Sequence, residues 1–172
     1  MEMETSNKYK LAFKGLEDGN HEFNVLIDKT FIELFGIEEI VDFDVEIHIS
    51  LLKRDNLLEL DIDADGAIQV PCDRCLEVFS LPVSFENRLL VKTNAAKNEV
   101  IDENLIHLSV QTDMLDLSQY LYESLIVSLP IKKVHPDNEC NKEMIKRLNP
   151  SKTKKTKNDS DPRWDALKNI QF

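Results

Sequence analysis

The residues of this 172-residue chain that could do chemistry are three cysteines and four histidines. Cys72 and Cys75 stand in Val70-Pro71-Cys72-Asp73-Arg74-Cys75, a spacing that lets two thiolates reach one ion, as in half of a structural zinc site. His135 and Cys140, in the downstream stretch His-Pro-Asp-Asn-Glu-Cys, offer donors for the other half, so that the four would complete a Cys₃His tetrahedron. Two other readings stay open at this level. The thiols could be reduced and idle, two in a β-turn and Cys140 opening the next helix, or Cys72 and Cys75 could form a redox dithiol. Redox pairs favour a helix N-terminus after a parallel strand, whereas the flanks here alternate as antiparallel strands do. Zinc is the one cofactor that the residues suggest.

The remaining groups point away from catalysis. His21 begins a strand, His48 falls on the polar face of another, His107 sits among apolar strand residues, and none has a nucleophile beside it in a recognisable motif. The four glycines, Gly15, Gly19, Gly36 and Gly66, are scattered, so there is no phosphate-cradling loop and nothing to bind a nucleotide or other small-molecule substrate. Asp61, Asp63 and Asp65 alternate with core residues and read as a solvated strand face, without the ordered loop of a calcium site. A non-enzymatic protein is expected.

The net charge of −11 conceals a division along the chain. Residues 1–130 hold 10 Lys and Arg against 26 Asp and Glu, while residues 131–172 hold 11 against 6. An acidic body repels phosphates, so any contact with RNA must run through the C-terminal segment or through a partner protein. Lys152, Lys154, Lys155 and Lys157 could each meet a phosphate as a point charge, or could serve only to solvate a linker. The start, Met1-Glu2-Met3-Glu4-Thr5-Ser6-Asn7, has no basic or apolar targeting pattern, and no stretch approaches the roughly 20 apolar residues of a membrane span. A cytoplasmic protein without a membrane partner is expected.

The elements that must position these groups are legible from periodicity. Val41 to Leu51, Leu58 to Ala64 continuing through Ile68 and Val70, and Phe79 to Phe85 alternate apolar and polar residues, the pattern of half-buried antiparallel strands. Tyr9–Phe13 and His21–Ile27 read as a hairpin around Glu17-Asp18-Gly19-Asn20, and Asp28 as the cap of a short helix ending at Gly36. Residues 92–98 look like a loop, 99–110 like one or two strands, and 116–129 like a helix with Leu117, Tyr120, Leu121, Ser124, Leu125 and Ser128 on one face. This predicts an α+β domain over residues 1–148, mainly an antiparallel sheet of long strands with a few short helices. A flexible basic linker over 149–160 and a docking helix over 161–172, with Trp164, Leu167 and Ile170 at steps of three, complete the expected tail.

Three segments carry a family likeness: Val-Pro-Cys-Asp-Arg-Cys-Leu-Glu at 70–77, the helix and its Ser-Leu-Pro-Ile-Lys-Lys-Val-His exit within 116–135, and Asp-Pro-Arg-Trp-Asp-Ala-Leu-Lys at 161–168. In their order and spacing the chain resembles the YceD-like family, the large ribosomal RNA subunit accumulation proteins of bacteria and plastids. The resemblance implies a part in accumulation of 23S rRNA and in ribosome biogenesis, with no known catalytic activity. It implies as partner a precursor of the large subunit, through 23S rRNA or a ribosomal protein. Taken with the charge division along the chain, it makes Arg163 and Trp164 expected contact residues together with the four lysines. Family members commonly carry a second cysteine pair after the Leu-Pro exit, where this chain has Cys140 with His135 upstream.

Overall fold

The computed structural model describes residues 8–36, 39–102, 104–136 and 139–148. Its centre is a six-stranded sheet in the order β2-β3-β4-β5-β7-β6. The strands are β2 (Gly19–Ile27), β3 (Asp42–Arg54), β4 (Leu57–Pro71), β5 (Val78–Ala95), β6 (Glu99–Asp102) and β7 (Leu105–Ser109). All neighbours run antiparallel except β5 and β7. Strand β1 (Lys10–Ala12) pairs separately with β8 (Met114–Asp116). The helices are α1 (Lys29–Phe35), α2 (Ser118–Ser128) and α3 (Lys142–Leu148).

The alternation in β3, β4 and β5 does what its period demands. Rows such as Ile49–Ile62–Asn87 and Leu51–Leu60–Leu89 run across the three strands, and every apolar member is buried. The central polar residue of that face, Asn87, donates to Ser124 Oγ of α2 at 2.8 Å, so the helix covers the face without orphaning the amide. Leu117, Leu121 and Leu125 of the expected helical face are buried beneath it. The β3–β4 turn is closed by Asp55 with φ of +42°, a left-handed position suited to a two-residue hairpin.

Three expectations are corrected. Tyr9–Phe13 does not pair with the strand after it: β2, the edge strand of the sheet, is matched along all nine residues to β3, from Gly19 opposite Lys53 to Ile27 opposite Val45. That longer ladder satisfies more backbone groups than a short hairpin could, and β1 finds β8 instead. Residues 92–95 are strand, since β7 extends the sheet alongside them. Val41 precedes β3 and is exposed, although its N–H is anchored on the Gln69 carbonyl at 2.8 Å.

Asp28 does cap α1. Its Oδ1 accepts from Thr30 N at 3.0 Å and its Oδ2 from Lys8 Nζ at 2.7 Å. The hydrogen bond from Lys8, joined by those from Thr30, holds this carboxyl below its ordinary 3.8. Asp28→Ala is expected to cost about 1 kcal/mol in a denaturant melt. Because the folded value is depressed, the contribution is full above the unfolded value and fades as pH falls through the folded one. The wild-type advantage over Asp28→Ala should therefore shrink only in acid below 3.8.

The opposite face of the sheet is polar, and no described element covers it. There the register sets Glu46 directly against Asp65, and Asp63 against Glu86. Like charges facing each other across a ladder are unfavourable. Glu86→Gln is expected to stabilise the protein by about 0.5 kcal/mol at low ionic strength, and by less at high salt, as read by paired urea melts.

Candidate metal centre

The tip of the β4–β5 hairpin builds one half of the centre. Pro71 pairs with Val78, so residues 72–77 form the connection, and it is tied twice across itself: Cys72 N donates to Glu77 O and Leu76 N to Cys72 O, both at 2.9 Å. The tight turn carries Leu76 at φ of +64°, a conformation that a side chain ordinarily avoids. It brings Cys72 and Cys75 to the same side, both buried.

The other half comes from the chain after α2. Asp73 and Lys133 clamp the two segments together, Asp73 N donating to Lys133 O at 2.7 Å and Lys133 N to Asp73 Oδ2 at 2.6 Å. His135 then lies against the Phe79 ring, centroids 4.6 Å apart. Asn141 caps α3 through Glu143 N at 2.9 Å and donates to Glu77 Oε1 at 2.6 Å, which sets Cys140 over the knuckle. Val134, Met144, Ile145 and Phe79 shut the thiols off from water.

One ligand atom from each of Cys72, Cys75, His135 and Cys140 lies within 4.8 Å of all the others. Cys72 Sγ is 3.9 Å from Cys140 Sγ, and His135 Nδ1 is 3.4 Å from Cys75 Sγ and 3.9 Å from Cys140 Sγ. A tetrahedron with metal–sulfur bonds of about 2.3 Å and metal–nitrogen bonds of about 2.0 Å has edges of about 3.8 Å and 3.5 Å. The residues thus fit a metal ion, and with four protein donors they leave no position open for a substrate.

The electrostatics agree. Burial acts to raise the Cys72 thiol, but the backbone N–H groups of His135, Arg74 and Cys75, with the His135 side chain, together outweigh it and bring the thiol below its ordinary value. Cys140 is pushed up by burial and then by the neighbouring Cys72 and Cys75 sulfurs. Crowded thiols resist ionising together, and a divalent cation removes that opposition. All four expected ligands are therefore brought together.

The other expected site residues, Lys152, Lys154, Lys155, Lys157, Arg163 and Trp164, lie outside the described residues, as do the linker over 149–160 and the helix over 161–172. His48 is exposed on the polar sheet face with Nδ1 2.8 Å from Asn24 Oδ1. Sequence reasoning missed the bracing pairs Asp73–Lys133 and Glu77–Asn141, whose residue types are common on any surface and carry no spacing signal. Among the described residues no helix is long and apolar enough to cross a membrane.

No curated protein and no solved structure matches the chain. A family model does, over residues 60–171, described as the large ribosomal RNA subunit accumulation protein YceD. The match begins inside β4, leaving β1, β2, α1 and β3 outside it, and it takes in the knuckle, α2, the His135–Cys140 segment and all three motifs of the sequence. Covering well over half of the chain, it shows that the protein belongs to the YceD family.

Proposed function

We propose that the protein is a cytoplasmic, non-enzymatic ribosome biogenesis factor that promotes accumulation of large-subunit 23S rRNA. The family match over residues 60–171 carries this reading. The closed Cys₃His cluster supports it, because a centre with four protein donors serves architecture and has no free position for catalysis. In this reading Cys72, Cys75, His135 and Cys140 hold a structural zinc ion. The ion fastens the segment after α2 to the β4–β5 hairpin, fixing where the C-terminal residues leave the body.

Contact with the large-subunit precursor falls to the tail. The open sheet face is acidic and repels phosphate, whereas Lys152, Lys154, Lys155, Lys157 and Arg163 supply cations, and Trp164 an aromatic surface, for 23S rRNA or a ribosomal protein. Residues 1–148 act as the scaffold, 149–160 as the linker and 161–172 as the docking helix.

A second reading, a general protein-interaction module with no direct part in rRNA accumulation, is favoured by one observation. Val127 and Ile131 are almost wholly exposed beside a groove lined by Phe35, Tyr122, Ile126 and Leu129.

Gradient sedimentation of tagged protein from growing cells separates the two. Co-migration with 23S precursor is expected, and a full-length variant with Lys152, Lys154, Lys155 and Lys157 changed to Gln and Trp164 to Ala should shift to the top. Wild-type protein found only at the top, or a variant that co-migrates as the wild type does, would remove the assembly reading.

A further inference from the structure

Among the described residues no element covers the polar face of the sheet, and its charges are arranged at a cost. Asp44, Glu46, Asp63, Asp65 and Glu86 are all exposed on it, around a groove of about 1060 Å³ between β2 and β5. None of these five forms an ion pair among the described residues, whereas the neighbouring Asp61 is held by Arg88 at 2.6 Å and 3.1 Å. The register sets two like-charged pairs face to face, and among the described residues Arg88, in the next row of that face, is taken up by Asp61.

The cations that would do so are in the same chain. Residues 152–157, Lys-Thr-Lys-Lys-Thr-Lys, contain four lysines and no acid. The described chain stops at Leu148, at the end of α3, and α3 is packed on the knuckle through Met144 and Ile145. From the knuckle end of the β4–β5 ladder to the Asp65 row is six residues, about 20 Å at the rise of a strand. An extended chain of nine residues, from Leu148 to Lys157, spans up to about 32 Å. Lys154 and Lys155, six and seven residues on, span up to about 21 and 25 Å, enough for the nearer Asp44 row, and Lys157 has the length to reach Glu46 and Asp65. Tethering also raises their effective concentration to the millimolar range, which lets weak individual ion pairs add up.

We propose that in the free protein the lysine run 152–157 lies across the acidic sheet face and neutralises it. The face is then an intramolecular rival for the cations assigned above to rRNA, and partner binding must displace it. The docking itself does not depend on that assignment.

Zero-length carbodiimide coupling of the full-length protein, read by peptide mass spectrometry, tests the contact. Links from Lys154, Lys155 or Lys157 to Asp44, Glu46, Asp63, Asp65 or Glu86 are expected at low salt, falling about fivefold in 0.5 M salt, where charges are screened within a few ångströms. A full-length variant with Glu46→Gln, Asp63→Asn, Asp65→Asn and Glu86→Gln changes only exposed side chains, and its melting temperature should be at least that of the wild type. Links to Asp44, the one of the five acids left unchanged and still able to couple, should then fall about fivefold with no new links elsewhere; Asp44 links as frequent as in the wild type would count against docking by charge. Three other results would overturn the proposal: no tail links, links as frequent to Glu17, Asp18, Glu99 and Asp102 as to the face, or links that join isotopically distinct copies in a mixed sample.

Discussion

Chelation of the purified protein is expected to release about one zinc ion per chain, lowering stability by about 4 kcal/mol and the melting temperature by about 10 °C. The size follows from linkage: an ion held a thousandfold below its free concentration stabilises the state that binds it by about that amount. The loss should be local in structure. Cys140 and His135 join the hairpin through the cluster, Phe79 and a few hydrogen bonds, whereas the sheet has its own core of buried residues from Val45 to Val91. Amide exchange should therefore accelerate over residues 133–148 and at 72–77, while β3 and β4 stay protected. Cys72→Ser should reach the same endpoint and respond no further to the chelator, because a hydroxyl is a poor replacement for a thiolate ligand. Protein that carries no metal as purified, and whose melting temperature zinc does not move, would mean that the four groups pack as buried thiols and an imidazole alone.

Where the sequence could be read, it was read from short-range physics. The polar residues between Phe43 and Leu51 can only face water if every second residue is buried, so β3 and its partner β4 announce themselves. The Cys72–Cys75 spacing announces half of a metal site in the same way, and His135 and Cys140 downstream offer donors for the other half, but only the fold brings the four together. Long-range choices were silent. Nothing near Lys10–Ala12 says that its partner is Met114–Asp116, and the turn residues at 17–20 suggested a nearer one. The alternation of Tyr9, Leu11 and Phe13, all buried, marks a strand, but an alternation names the face that is covered and not the strand that pairs with it. The parallel pairing of β5 with β7 was hidden for a related reason, since a short apolar run does not state its direction. The acidity of the outer face was visible in the alternation, but the direct opposition of Glu46 to Asp65 is a property of register and needed the fold.

Gly66→Ala is expected to destabilise the protein by about 3 kcal/mol, against the ordinary rule for its type of position. Glycine inside a strand usually weakens it, because it loses more chain entropy on folding and offers nothing to pack, so alanine should help by roughly 0.5–1 kcal/mol. At residue 66 the space is already taken. The residue faces Val45 across the β3–β4 ladder, and an added Cβ would fall on the Asp44 carbonyl oxygen and stand 2.6 Å from Val45 Cα. Both obstacles are backbone, so no side-chain rotation relieves them; β3 must back away, loosening the ladder hydrogen bonds around it and the buried row of Val45 and Val83 on either side. Gly15→Ala is the matched control, since its added methyl would meet nothing within 4 Å. Urea melts of the two variants should therefore differ in sign, with Gly15→Ala near neutral or slightly stabilising and Gly66→Ala shifted well to lower denaturant. Equal midpoints would show that β3 yields at Asp44 without cost, and that the close approach of the two strands is not what requires glycine there.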